Sequence, residues 1–175
     1  DNCMVSESEI RNNSLCSPFF STVCLASNAL LVSGTEEQKS LWLGKLCESG
    51  LTATVAFNGG SSSWNADAIT ATWKRSGDDF VLNGNYRYVV DGHTSELLIV
   101  AAREEGSTAE DGISLFLLPA ATAGVTSEWL PTMDQARKQA SVDLSSVTVG
   151  AEALMGEAGR GWSQLAKVLD LASIA

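Results

Sequence analysis

Histidine occurs once in these 175 residues and proline three times, and Lys and Arg together number eleven against twenty-one acids. With one histidine and no Cys-x-x-Cys among Cys3, Cys16, Cys24 and Cys47, a zinc site is not expected. The eleven cations are scattered and the formal charge is -10. Nucleic-acid binding needs clustered cations to release counterions, so no nucleic-acid partner is expected. No apolar run approaches the roughly eighteen residues of a membrane span, so no membrane insertion is expected. No signal peptide or lipidation motif is visible, and the expected compartment is a reducing cytoplasm. What is present in quantity is apolar residues, 45% of the chain, enough for one substantial core.

Residues 18–32 are apolar nearly all round. Phe19, Val23, Ala26 and Leu30 form one stripe with Phe20, Cys24 and Leu31 beside it, which predicts a buried helix ended by Gly34. Thr35, followed three residues later by Gln38, is a capping box, and Glu36 and Glu37 suit the positive end of a second helix. Leu43, Leu46 and Cys47 supply part of that helix's apolar face, and Cys24 and Cys47 read as small buried thiols.

From residue 51 the period changes to two. Strands are expected at 51–57, 69–73, 80–82, 85–90, 97–102, 113–118, 140–144 and around 147–149. Within 77–103, Asn83-Gly84 has the chemistry of a tight hairpin turn. Tyr86, Tyr88 and Val90 would then share one face of the returning strand. After Gly156 and Gly161 the helical period returns through Trp162, Leu165, Leu169 and Ile174. The expected fold class is α+β: two N-terminal helices, a central antiparallel β-barrel or sandwich, and the start of a C-terminal helix. The expected divisions are 1–50, 51–155 and 156–175. The acidic segment 1–11 and a final helix with one partly built face give the expectation of a fragment, or of a subunit completed by another chain.

Five segments together carry a resemblance. They are Gly34-Thr35-Glu36-Glu37-Gln38-Lys39 with Trp42-Leu43; Thr54-Val55-Ala56-Phe57; the 77–103 segment; Gly112-Ile113-Ser114-Leu115-Phe116-Leu117; and Gly156-Glu157 with Gly159 and Gly161-Trp162. In this order they resemble the acyl-CoA dehydrogenase family. The resemblance implies FAD bound between a middle β-domain and C-terminal helices, an acyl-CoA substrate, an electron-transfer partner and a homo- or hetero-oligomer. It also implies proton removal α, and hydride removal β, to a thioester whose carbonyl is held by hydrogen bonds.

Carried over by position, the cofactor-binding residues would be Phe57, Asn58, Gly59, Tyr88, Val89 and Val90, and the substrate-binding residues Ser61 and Ser63. Asn58 stands for the family's Ser or Thr, Tyr88 for its flavin-packing Trp, Val90 for its Thr, and Tyr86 for its Lys. The loop 58–65 keeps glycines and hydroxyls but lacks the family's Glu-Pro, and reads either as a phosphate- or thioester-binding loop or as a plain connection. No glutamate matches the catalytic base, whose position is unknown. Asp170 stands on the relevant helix, as a short acid or as a solvated one. His93 reads as exposed in a polar turn, Trp73 as core, and Trp64 as a possible pocket border. Three functions stay open: an acyl-CoA dehydrogenase-like flavoprotein portion, a non-catalytic subunit or scaffold, and a CoA-ester binding module.

Overall fold

The structure is a computed structural model that describes residues 18–174 apart from Ser62 and Gln135. The expectations for segment 1–11, Cys3, Cys16 and Ser62 lie outside the described residues.

The first helix, α1, begins as a π-helical run, Phe20–Ser27, and continues without a break as an α-helix, Asn28–Ser33. It buries Ser21, Cys24, Leu25, Ala26, Ala29 and Leu30, but leaves Val23 and Leu31 exposed. Hydrogen bonds spaced five residues apart wind the chain more loosely than 3.6 residues per turn. That looser winding rotates Val23 out of the stripe drawn on an ideal helix.

Helix α2, Glu36–Glu48, starts at the expected capping box. The Thr35 N–H donates to Gln38 Oε1 at 2.9 Å, and the Gln38 N–H donates to Thr35 Oγ1 at 3.2 Å. Gln38 is buried, and its Nε2 also donates to the carbonyls of Glu152 (2.8 Å) and Leu154 (2.9 Å). The residue that starts the helix therefore also clamps it to the sheet. The packed stripe follows Gln38, Trp42 and Leu46 at four-residue spacing, so Cys47 lies outside it and is exposed. Cys24 is buried, as expected.

Eight strands follow: β1 Ala53–Ala56, β2 Thr72–Ser76, β3 Asp79–Val90, β4 Leu97–Glu104, β5 Ile113–Pro119, β6 Val125–Leu130, β7 Gln139–Val149 and β8 Leu154–Met155. Their order is β6-β7-β3-β2-β4-β5-β8, with β1 beside β4. Most pairings are antiparallel, but one edge of β4 is shared by two parallel neighbours. Leu97 to Val100 pair with β1, and Arg103 and Glu104 pair with β2. The chain connecting β1 to β2 leaves the sheet at this split.

The split leaves polar backbone to be satisfied. The Ala101 carbonyl, between the two paired stretches, accepts the Tyr86 hydroxyl at 3.0 Å. Arg103 donates to the carbonyls of Ala66 (2.8 Å), Ile69 (3.3 Å) and Ala109 (2.9 Å), which ties down the connection and its 3-10 turn, Ala66–Ala68. The Tyr86 hydroxyl replaces a ladder partner that a buried strand cannot leave unmade, and Arg103 satisfies carbonyls of the neighbouring connections.

Strand β4 separates two apolar clusters. Leu97, Ile99 and Ala101 face α1 and the last helix, α3, Trp162–Ile174, which buries Leu165, Val168, Leu169 and Ala172. Leu98, Val100 and Ala102 face Trp73, Phe80, Tyr86 and Phe116. Trp73 is core, as expected, and its Nε1 donates to the Gly112 carbonyl at 2.9 Å. Ile174, placed on the apolar stripe by spacing, is 84% exposed.

Strand β3 departs from the expected pattern at two places. Asn83-Gly84 is not a hairpin turn: 79–90 is one strand, and the reversal from β2 lies at Gly77 and Asp78. Gly84 has φ 149°, and a Cβ there would stand 2.5 Å from both Cα and Cβ of Ala71. The glycine lets β3 cross β2 closely, with a register shift against β7 between Leu82 and Gly84. Asn83 Oδ1 accepts the Ser146 N–H at 2.8 Å, beside a matching irregularity in β7 where Ser146 has φ 51°. That irregularity does not break β7, so 140–144 and 147–149 are also one strand.

A second register shift, between Tyr86 and Val89, ends the expected alternation. Tyr88 has φ 61°, so Tyr86 is fully buried while Tyr88 is 52% exposed. Strands β6 and β8 have no counterpart in the sequence expectations. β6 has no buried residue and mixes Val125, Trp129 and Leu130 with Thr126, Ser127 and Glu128, and β8 is two residues long.

Gly84→Ala is expected to lower stability by at least about 2 kcal/mol through overpacking at Ala71, read as a reduced urea midpoint with unchanged m-value. Burial pushes the Tyr86 hydroxyl well above its ordinary value. The unfolded chain therefore loses that proton first, and stability falls as pH rises above about 10. Tyr86→Phe should cost about 1–2 kcal/mol at neutral pH, because the Ala101 carbonyl loses its partner. It should also remove this part of the alkaline loss, as followed by urea unfolding up to about pH 11.

Candidate functional site

A cavity of about 390 Å³ opens where β1 ends, between α1, the second bulge of β3 and α3. Leu25, Val55, Phe57 and Leu169 give it an apolar floor, and Tyr88, Val89 and Val90 form one wall. Asn58, Ser61, Trp64, Arg87 and Gln139 bring polar and aromatic groups to its mouth. Its volume lies within the roughly 300–1,000 Å³ of small-molecule sites, and a few polar groups over an apolar floor is their usual composition.

Of the expected site residues, Phe57, Asn58, Ser61, Tyr88, Val89 and Val90 therefore line one cavity. Gly59 and Ser63 lie in the same loop but outside the lining. The Gly59 N–H donates to the Ala68 carbonyl at 2.9 Å, and a Cβ on Gly59 would meet Thr70 Oγ1 at 1.9 Å. A larger hollow, about 630 Å³, lies between α2 and the ends of β7 and β8 and contains none of these residues. We place the candidate site at the smaller cavity, where the chemistry collects.

The loop at the mouth is organised by Asn58. Its Nδ2 donates to the carbonyls of Ser61 (2.9 Å) and Ser63 (3.2 Å), and its Oδ1 accepts the Gly60 N–H at 2.7 Å. The backbone carbonyl of Asn58 accepts the Arg87 N–H at 2.9 Å, which fastens the loop to β3. Both amide protons are thus used within the loop. The loop is a built structure, and the Asn58 side chain acts first on its own backbone.

The β3 wall is strained. Tyr88 at φ 61° and Asp91 at φ 54° both occupy the left-handed region, which is costly for an aromatic residue and persists only where surrounding bonds enforce it. Those bonds are present. Thr54 Oγ1 donates to the Val90 carbonyl at 2.8 Å, and Ser21 Oγ donates to Asp91 Oδ2 at 2.7 Å. The Asp91 N–H donates to the Lys138 carbonyl at 2.9 Å. The effect is to turn the Tyr88 ring out of the core and onto the cavity.

Two guanidinium groups stand over aromatic rings of the lining. Arg87 lies 6.0 Å from the Tyr88 ring centroid and Arg137 lies 5.5 Å from that of Phe20. Arg137 also opposes the effect of burial on Cys24, whose thiol is pushed up overall. Trp64 meets Phe57 edge-on at 5.7 Å. On the other side of Trp64, a smaller hollow of about 260 Å³ is lined by Trp162, Ala166 and Asp170. Asp170 is exposed, and it is the only acid on α3. His93 is half-buried, with Nδ1 enclosed and without a partner among the described residues, so its exposed reading is corrected.

Sequence reasoning did not single out Arg87, Arg137, Gln139 or Leu169 as site residues. Arg87 lies on β3 beside Tyr88, Gln139 and Leu169 reach the cavity only through the fold, and Arg137 stands next to it over the lining residue Phe20. Asn58→Ala should open the loop, with faster amide exchange at Gly60 and earlier proteolysis within 58–65. The accompanying loss of global stability is expected to be about 1–2 kcal/mol.

Among known proteins, residues 58–147, just over half of the chain, match the acyl-CoA dehydrogenase middle domain. Over 162 residues the chain is 25% identical to (2S)-methylsuccinyl-CoA dehydrogenase of Cereibacter sphaeroides, covering 86% of this chain and 30% of that protein. Over 140 residues it is 29% identical to the mitochondrial long-chain specific acyl-CoA dehydrogenase of Rattus norvegicus, covering 78% and 33%. Butyryl-CoA dehydrogenase from Megasphaera elsdenii superposes with a TM-score of 0.84 at 26% identity, over 90% of this chain and 42% of that one. The chain spans about a third of the length of the curated relatives it matches. Helices packed on one face of a bulged sheet, a cavity at the end of β1 and the match across 58–147 agree: this chain belongs to the acyl-CoA dehydrogenase family.

Proposed function

We propose that the 390 Å³ cavity receives the ring system of FAD and that the chain is the flavin-facing portion of an acyl-CoA dehydrogenase-like oxidoreductase. The observation that carries this reading is the convergence of Phe57, Asn58, Ser61, Tyr88, Val89 and Val90, from two separate stretches of sequence, on that one cavity. The residues fit such a group. Val55, Phe57 and Val89 offer an apolar seat, Tyr88 an aromatic edge, and the 58–65 loop polar groups at the rim. When bound, FAD supplies the hydride acceptor.

The chain's own residues would do the rest. Tyr88 would orient the ring from the strained turn of β3, Val90 would bound its reactive side, and Phe57 with Trp64 would exclude water. Ser61 and the nearby Ser63 would face the thioester-bearing substrate. Among the described residues no carboxylate lines the cavity, and these lining residues offer no proton acceptor for dehydrogenation of an acyl-CoA. Asp170, beyond Trp64, is the candidate this chain offers.

The absence of a carboxylate among the described lining residues also supports a second reading. In it, this chain shapes the flavin or CoA-ester site as a non-catalytic subunit of an oligomer, and a partner performs the oxidation. Both readings include an electron-transfer partner for the reduced flavin. Both also suit a reducing aqueous compartment such as the cytoplasm, and among the described residues no helix is long and apolar enough to cross a membrane.

Titration with FAD should give a yellow, protein-bound species absorbing at about 450 nm. Tyr88→Gly separates function from folding. It relieves a left-handed aromatic residue, so stability should hold or rise by up to about 1 kcal/mol. The affinity for FAD should nevertheless fall. Unchanged affinity in this variant would remove Tyr88 from the site, and a wild-type chain that stays colourless would contradict the flavin reading.

A further inference from the structure

Among the described residues the one charged group lining the cavity is a cation, Arg87, in a chain of net charge -10. Arg87 lies over the Tyr88 ring, and Arg137 lies over the ring of Phe20, another lining residue. Stacking on aromatic rings holds a guanidinium in place while leaving its edge N–H groups available. Neither arginine has an ion-pair partner within 4.0 Å among the described residues, where the one such pair is Lys39–Glu36, although the Arg137 charge helps to keep Asp134 ionised. The carboxylates near them are otherwise engaged. Asp134 Oδ1 accepts the N–H groups of Ala136 and Arg137, and Asp91 Oδ2 accepts the Ser21 hydroxyl. Gly60, at φ 104°, lies against the Arg87 stem, where a Cβ would come within 3.3 Å of Cδ.

A guanidinium in the lining of an apolar cavity and a second over one of its rings, with no carboxylate among the described lining residues, have a natural complement in an oxyanion with several acceptor oxygens. We propose that Arg87 and Arg137 anchor a phosphoryl group of the molecule that occupies the cavity. This deepens the reading of the cavity as a ligand site and does not require that the ligand be a flavin. The phosphoryl group has two candidate sources, the pyrophosphate of a flavin dinucleotide and the phosphates of a CoA thioester.

The test is binding of four probes to the full chain by calorimetry, at low and moderate salt. FAD and CoA carry phosphates, and riboflavin and pantetheine are their phosphate-free counterparts. Arg87→Gln and Arg137→Gln should each weaken the phosphate-bearing probe by about tenfold and reduce its salt dependence, as loss of a charge-assisted bond does. The phosphate-free counterpart should change by less than about twofold. Circular dichroism and thermal melts of both variants should match the wild type, since among the described residues neither guanidinium makes a hydrogen bond or an ion pair within 4.0 Å.

A selective loss for FAD assigns the rim to the flavin, and a selective loss for CoA assigns it to the thioester. If FAD binds and neither substitution changes it or CoA, the anchor is wrong while the flavin reading stands. If CoA binding depends on the arginines while no flavin binds, the anchor stands and the flavin reading falls. Equal weakening of phosphorylated and phosphate-free probes, or no binding of any probe, overturns the proposal.

Discussion

The fold turns on the divided edge of β4. A strand buried on both faces must satisfy its backbone within the protein, yet this one loses its parallel neighbour at Val100 and gains another only at Arg103. The Tyr86 hydroxyl supplies the partner that the Ala101 carbonyl lacks, and Arg103 fastens the connection that the split releases. An unpaired buried carbonyl costs on the order of 1–3 kcal/mol, a sizeable share of the marginal stability of a domain. The hydroxyl at Tyr86 therefore has a structural reason for its place that does not involve a ligand.

The same division creates the candidate site. Because β1 stops and β2 starts further along, residues 57–71 leave the sheet beside the end of β3. Asn58 shapes them into a loop. Placing Tyr86 inside requires β3 to bulge before Val89, and the bulge turns Tyr88 outward in a strained conformation. Core satisfaction and site geometry are thus two results of one irregularity, which couples the stability of the sheet to the shape of the cavity.

Local features were legible in the sequence. The Thr35–Gln38 capping box, the buried strand at 97–102 and the glycine that ends α1 each depend on residues a few positions apart. The misread features depend on distant partners. Asn83-Gly84 has turn chemistry, but Ala71 lies so close that only glycine fits, and the segment stays extended. The alternation of Tyr86 and Tyr88 fails because the Ala101 carbonyl draws one ring inward. The π-helical winding of α1 moves Val23 out of a stripe drawn for an ideal helix. Phe57, Asn58 and Tyr88 could be named from a motif resemblance, whereas Arg87, Gln139 and Leu169 belong to the cavity only because the chain folds back on itself.

The most direct test of this account is a titration of the isotopically labelled chain with FAD, followed by backbone amide shifts. The account predicts shifts concentrated at Phe57, Arg87, Tyr88, Val90 and Leu169, around the cavity beside the split. Shifts concentrated instead in the hollow between α2 and the ends of β7 and β8, or no shifts at saturating FAD, would contradict it.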